Sequence, residues 1–100
     1  MSLRFLALIL AGAFLCNALP HLVSGLRGEI FPTPFAKPRG RGPSSPLVNF
    51  LWGLFNLVVG LECLAAFPVA IGLNIDFLLL VSGALALGVY LSRHFEGWRR

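Results

Sequence analysis

This chain has 100 residues, of which 57% are hydrophobic and only 12% are charged, and its formal net charge is +4. Charged residues make up roughly a quarter of an average soluble domain, so the composition excludes a water-soluble globule and predicts one membrane-embedded domain. The few basic residues lie at the edges of apolar runs rather than on one polar face, which argues against nucleic acid as a partner.

The first predicted element is a transmembrane helix over residues 4–23. A basic residue, Arg4, followed by an apolar run is also the outline of a secretory signal peptide. The run is longer than the usual signal core, and its small-x-small site, Cys16-Asn17-Ala18, is a poor one, so we expect the helix to be retained. Pro20 has no backbone N–H to donate and should kink or end the last turn.

Two polar side chains, Asn17 and His21, share a stripe near the end of this helix at four-residue spacing. Such a pair beside a broken helix end suggests an interaction site, whereas the simpler interpretation is an interfacial His21 wetted by lipid headgroups. His21 as the base of a surface enzyme would need catalytic partners. The sequence has no Ser/His/Asp set, metal-ligand spacing or phosphate-binding glycine loop, so we predict no enzyme activity, metal or cofactor.

Residues 24–45 contain Pro and Gly at a density that a helix or a buried strand does not tolerate. We therefore predict an extended, partly polyproline loop on the membrane surface. Phe31 and Phe35 flank Pro-Thr-Pro and are expected to dip into the interface, while basic side chains meet anionic lipid headgroups at about 1 kcal/mol each. A proline-directed docking peptide is the alternative, although the Pro-x-x-Pro pattern is missing. The basic residues of this loop are Arg27, Lys37, Arg39 and Arg41.

The second predicted transmembrane helix covers residues 46–67, with Ser45 as N-cap and Pro46 in the first turn. It is long enough to cross a hydrocarbon core of about 30 Å. Along one of its faces, mostly small or amide-bearing residues recur at alternating steps of four and three positions. This spacing is typical of close packing against another helix. We call this face the central seam; it consists of Asn49, Gly53, Asn56, Gly60, Cys63 and Phe67.

Glu62 is the one charged residue of this second helix. An ionisable group inside a predicted span is a functional candidate, for example as a proton or cation site. By its depth it lies near Arg4, so a structural ion pair between the two side chains is the competing interpretation. Uptake of a proton or contact with interfacial water would also lower the free-energy cost of its burial.

The third predicted transmembrane helix covers residues 75–95, and a short basic tail over residues 96–100 follows it. Asn74 is the expected N-cap, and Asp76 lies in the first turn, where its charge complements the helix dipole. A small-xxx-small stripe on this helix is the expected packing partner of the central seam. The stripe consists of Ala84, Gly88 and Ser92.

With three spans, the 24–45 loop and the C-terminal tail share one side of the membrane. That side carries seven basic residues and the other side carries Arg4 alone. The positive-inside rule therefore predicts an outside N-terminus and a cytoplasmic loop and C-terminus. The seven basic residues are Arg27, Lys37, Arg39, Arg41, Arg93, Arg99 and Arg100.

Helix geometry, at about 1.5 Å per residue, places several polar side chains at one depth near the predicted cytoplasmic end. Asn56 lies roughly two turns deeper. The side chains expected at that common depth are Asn17, His21, Asn49 and Tyr90.

Three segments in the first half of the chain resemble those of small uncharacterised bacterial integral membrane proteins. They are Asn17-Ala-Leu-Pro-His21, Phe31-Pro-Thr-Pro-Phe35 and Ser44-Ser-Pro-Leu-Val-Asn-Phe-Leu-Trp-Gly53. The resemblance implies a location in the bacterial inner membrane and no established activity. In length and topology the chain is also similar to one class of phage holins, although its tail is short and carries Glu96. Small multidrug transporters are similar in size but use a Glu in the first of four helices.

The sequence thus predicts an all-α membrane protein with three transmembrane helices in a small bundle. We expect it to act as a scaffold or accessory subunit, by helix–helix association with itself or with a larger membrane protein. The alternative is an oligomeric transporter, channel or holin-like pore that uses Glu62 and Asn56, because three helices are too few to enclose a pore alone.

Overall fold

The computed structural model describes residues 2–98, so the predicted contributions of Arg99 and Arg100 lie outside the described residues. Residues 2–98 form three α-helices and no β-strand: α1 (Leu3–Leu26), α2 (Pro46–Ala66) and α3 (Ile75–His94). All three helices are long and apolar enough to span a membrane. The all-helical prediction is confirmed, and α2 and α3 each end one residue earlier than predicted.

Polar side chains begin the helices where the sequence predicts them. Ser45 caps α2 by accepting a hydrogen bond from the backbone N–H of Val48 at 3.1 Å. Asn74 caps α3 by accepting one from Phe77 at 2.9 Å. Each cap satisfies a backbone donor that has no partner within its own helix. Ser2 caps α1 in the same way.

The sequence predicted that α1 would end or kink at Pro20. The helix does not end there, because it continues to Leu26. Pro20 removes a single backbone hydrogen bond, and the following turn is held by tertiary packing, since His21 is buried. The helix stops instead at a Schellman motif, in which the N–H of Glu29 donates to the carbonyl of Ser24 at 2.8 Å. Gly28 supplies the left-handed conformation that this motif requires, with φ of 70°.

α1 lies between α2 and α3 and packs against both, whereas α2 and α3 do not pack against each other anywhere in the described chain. A Cβ atom on Gly53 would lie 2.8 Å from the backbone nitrogen of Leu22, and one on Gly60 would lie 2.7 Å from the Leu15 side chain. The absence of these side chains therefore lets α2 approach α1 closely. The buried residues of α2 are Asn49, Gly53, Asn56 and Gly60, which all belong to the central seam.

The predicted pairing of the central seam with the small-residue stripe of α3 is wrong, because the seam is covered by α1. α3 packs on α1 through Gly83, which is the only buried residue within 75–94. A Cβ atom on Gly83 would collide with the carbonyl oxygen of Ile9, and one on Gly12 would collide with that of Leu80. Two opposed glycines thus set this crossing. The stripe instead borders a shallow groove formed by α3 alone, and consists of Ala84, Gly88 and Ser92.

Arg4 joins the helix ends that are remote from the 24–45 segment. Its Nη2 donates to the Asp76 carboxylate at 2.6 Å and to the carbonyl of Pro68 at 2.9 Å. Arg4 therefore pairs with Asp76. The predicted alternative in which Arg4 forms an ion pair with Glu62 is wrong. Glu62 is exposed because Gly60 faces α1, and a residue two positions later points about 200° around the helix.

The glycine crossing of α1 and α3 can be tested with a matched pair of substitutions. Gly83→Ala should lower the free energy of unfolding by about 1–3 kcal/mol, because its methyl group collides with backbone. Gly88→Ala should be neutral or stabilising, since its nearest neighbour would be the Cys16 sulfur at 3.4 Å. Unfolding in mixed micelles with increasing dodecyl sulfate, followed by helical circular dichroism, measures both. Equal effects of the two changes would contradict the described crossing.

Candidate functional site

Residues 27–45 fold over the helix ends where α1 ends and α2 begins, and we call this segment the cap. Its two ends are joined by an antiparallel bridge between Phe31 and Ser44. Inside it, the hydroxyl groups of Thr33 and Ser44 lie 2.7 Å apart, and the N–H of Gly40 donates to the Thr33 carbonyl at 2.9 Å. The cap is therefore compact and not the extended loop that the sequence predicted.

Asn49, which is fully buried, binds the cap to the helices. Its Nδ2 group donates to the carbonyls of Phe31 at 2.8 Å, Ser44 at 3.2 Å and Ser45 at 3.1 Å. Its Oδ1 lies 2.8 Å from Nδ1 of His21. Because Nδ2 faces three carbonyls, the oxygen must face the imidazole, and His21 must donate through Nδ1. One amide thus fixes both the position of the cap and the tautomer of His21.

The residues at the end of α3 hold the cap from the other side. Nε2 of His94 lies 2.8 Å from the carbonyl oxygen of Gly40, and Nε1 of Trp98 donates to the carbonyl of Arg41 at 2.8 Å. Aromatic rings fill the space between these contacts; Phe31 is half-buried among them, whereas Phe35 is exposed. The ring cluster consists of His21, Phe31, Phe95 and Trp98.

A cavity of about 510 Å³ lies beneath the cap. It forms because α2 and α3 pack on α1 without meeting each other, so a cleft that is partly open remains beside α1. Its volume is typical of small-molecule sites, which measure roughly 300–1,000 Å³. Apolar side chains such as Phe14 and Leu87 form most of its wall. The polar lining consists of Asn17, His21, Trp52, Asn56, Tyr90 and His94, with Thr33 and Arg39 from the cap.

Two amides form a second polar contact between α1 and α2 at the cavity wall. Asn17 Nδ2 donates to Asn56 Oδ1 at 2.9 Å, while Asn56 Nδ2 donates to the carbonyl of Trp52 at 2.7 Å. The indole Nε1 of Trp52 is buried and has no hydrogen-bond partner within residues 2–98. An unpaired buried donor costs about 1–3 kcal/mol of stability. Trp52 lines the cavity, but its Nε1 atom is enclosed by the protein, so this donor is unpaired inside the wall and not exposed on its surface.

The structure brings together most of the polar residues that the sequence singled out. Arg4 and Glu62 lie outside the site, whereas Asn17, His21, Asn49 and Asn56 meet beneath the cap. Sequence reasoning missed Trp52 and His94, because the cavity exists only once the cap folds back. A usable signal for Trp52 was its type, since a buried Trp normally finds a partner for its N–H.

No group of three or more His, Cys, Asp or Glu side chains that could hold a metal ion occurs in the described part of the chain. Comparisons with protein-family models, with curated proteins and with solved structures find no match.

Removing the Asn49 amide should release the cap. Asn49→Ala deletes the hydrogen bonds to three carbonyls and to His21, at a cost of about 1–3 kcal/mol in the free energy of cap opening. Because proteolysis follows the population of the open form, trypsin cleavage at Arg39 and Arg41 should become about tenfold faster. Asn74→Ala removes an amide at the other end of the bundle and is the control. Similar acceleration in both variants would show that Asn49 does not fix the cap.

Proposed function

We propose that this protein is an integral membrane protein of the bacterial inner membrane, with its N-terminus outside and the cap in the cytoplasm. Large apolar side chains are exposed on all three helices, for example Leu19, Leu51 and Leu85. Contiguous apolar surface of this kind marks contact with lipid or with another protein. The basic residues at the cap end support the orientation. The resemblance to small bacterial membrane proteins supports the location.

We further propose that the cavity beneath the cap binds one amphipathic, lipid-like molecule without catalysis. The observation that carries this proposal is the partly open cleft between α2 and α3, where polar groups of α1 and α2 face apolar side chains. The polar group of the ligand lies near His21 and the cap, and its alkyl chain lies along Phe14 and Leu87. In the proposed orientation, the cap end is at the depth of the lipid headgroups, so the ligand enters sideways from the bilayer.

Binding without catalysis fits the chemistry of the lining. The described lining residues include no carboxylate, so His21 has no acidic partner of the kind that supports a catalytic base. The amides of Asn49 and Asn56 are already used in internal hydrogen bonds. These side chains therefore shape and orient the site.

Filling the cavity should abolish binding. Ala13 lines the cavity, so Ala13→Leu should occupy part of its volume, whereas Ala86 is exposed on α3 and Ala86→Leu is the matched control. In a Trp98→Phe background, Trp52 is the only remaining Trp of the two in the chain. Bromoundecanol in nanodiscs should then quench its fluorescence saturably, and excess dodecanol should reverse the quenching.

The Ala13→Leu protein should lose the saturable quenching, with an apparent affinity about tenfold weaker or worse, while the Ala86→Leu protein should retain it. Quenching that rises linearly with bromoundecanol and is the same in both variants would mean that lipid reaches Trp52 without a binding site. That result would refute the proposed ligand site.

A second candidate function is association with another copy of the chain or with a larger membrane protein. The central seam is not free for this role, because α1 covers it. The groove on α3 that Ala84, Gly88 and Ser92 border remains beside the contact with α1, and small residues along a helix favour close helix contact. The arrangement gives less support to a pore built on Asn56 and Glu62, since Asn56 is buried against α1 while Glu62 is exposed.

Association through this groove has a matched test on α3. Ser92 borders the groove, and its hydroxyl donates to the carbonyl of Val89 at 2.9 Å. Ser82 makes the equivalent bond to Leu79 at 2.8 Å but does not border the groove. If α3 mediates association, Ser92→Leu should remove cross-linked oligomers in lipid and Ser82→Leu should leave them. Oligomers that persist in the Ser92→Leu protein would exclude this surface.

A further inference from the structure

The cavity beneath the cap extends along the helices and is polar at one end. Its lining on α1 runs from Leu10 to His21, about 16 Å along the helix axis at about 1.5 Å per residue. On α3 the lining runs from Leu87 to His94, about 10 Å. His21 and His94 lie at the cap end, since their rings bond Asn49 and the cap. Leu10 and Leu87 lie at the far end, so the cavity fits a head group beneath the cap and an alkyl chain below it.

The charged part of the lining that residues 2–98 contribute is a single cation, Arg39 of the cap, and no Asp or Glu among them lines the cavity. Arg39 is exposed and forms no hydrogen bond or ion pair within the described chain. A flexible side chain without a partner can turn toward the cavity mouth without breaking a contact. The mouth therefore has a positive charge that the protein leaves unpaired.

Sequence alone does not distinguish the four basic residues of the loop, whereas the structure singles out Arg39, because the other three do not line the cavity. Among residues 2–98, the two acidic side chains at the cap end also lie outside the lining. One of them, Glu29, pairs with Arg27 at 3.3 Å, and the other, Glu96, is exposed beyond α3. An anion that approaches the mouth therefore meets a positive field. The basic loop residues outside the lining are Arg27, Lys37 and Arg41.

Hydrogen bonding by itself does not select the head group of the ligand. The hydroxyl of Tyr90 both donates and accepts, and the amides of Asn17 and Asn56 each carry donors and an acceptor. Such a lining suits alcohols, acids and esters alike. Charge distinguishes between head groups, because an anionic one is attracted to Arg39 whereas a cationic one is repelled.

We infer that the cavity beneath the cap selects an amphipath whose head group is anionic, a phosphate or a carboxylate on an alkyl chain. This inference rests on the proposed ligand site. The planar guanidinium of Arg39 has the geometry to donate two parallel hydrogen bonds to two oxygens of either group. Because Arg39 is exposed, water and salt screen this attraction. We therefore expect it to contribute about fivefold to affinity, as a basic side chain does at an anionic membrane surface.

The test uses the full-length chain with Trp98→Phe in nanodiscs of phosphatidylcholine, where bromoundecanol should quench Trp52 and competitors should relieve the quenching. The competitors are dodecyl phosphate, dodecanol, dodecyltrimethylammonium and inorganic phosphate. Arg39→Gln should weaken dodecyl phosphate about fivefold, leave dodecanol unchanged and strengthen dodecyltrimethylammonium. Each competitor is compared between variants, so its own partitioning into lipid cancels. Inorganic phosphate alone should displace nothing, because it has no alkyl chain.

Arg41→Gln is the matched control, because it removes the same charge from an exposed cap residue that does not line the cavity. It should leave every competitor unchanged. Equal weakening of dodecyl phosphate in the two variants, or no weakening in Arg39→Gln, would overturn the anionic head group and leave the ligand site intact. Displacement by inorganic phosphate alone would show that the anion is free and not lipid-borne, which would also overturn the inference. Linear, unsaturable quenching by bromoundecanol in every variant would refute the ligand site itself.

Discussion

The position of α1 between two helices that do not touch is the constraint on which the site depends. Glycines make this arrangement possible on both sides: Gly53 and Gly60 admit the side chains of α1, and Gly83 brings the backbone of α3 against that of α1. In the proposed membrane setting there is no hydrophobic driving force between helices, so close backbone contact and hydrogen bonds hold the bundle together. Because both neighbours are committed to α1, a cleft between them remains.

The cap converts that cleft into a cavity, and a single buried amide holds it in place. Asn49 satisfies the backbone of the cap with one end of its side chain and orients His21 with the other. The three carbonyls also accept backbone hydrogen bonds, so the amide adds a second donor to each of them and joins the cap to α2 through a side chain. The same hydrogen bonds therefore stabilise irregular backbone and turn one nitrogen of the imidazole toward the cavity.

Much of the local structure was predictable from the sequence. The spacing of small and amide residues located the buried face of α2, and the capping residues located the starts of α2 and α3. The choice of partner was not predictable in this way. The regular stripe through Gly88 has the familiar small-residue pattern, yet the contact to α1 uses Gly83, whose fit depends on the backbone of Ile9. A pattern shows that a face can pack closely, but not which helix fills it.

The candidate site was predictable only in part, for a related reason. Helix depth alone brings Asn17, His21 and Asn49 to one level, because the rise per residue is fixed. The roles of Trp52 and the cap depend on contacts between residues far apart in the chain, which no local pattern encodes. Polar groups inside a membrane are expensive, and the protein satisfies Asn49 and Asn56 internally but leaves the Trp52 indole unpaired. Among the buried side-chain polar atoms of residues 2–98, the exception is an indole whose ring packs against Phe35 and Phe55. Ring packing therefore fixes Trp52 at the cavity wall although its N–H has no acceptor there.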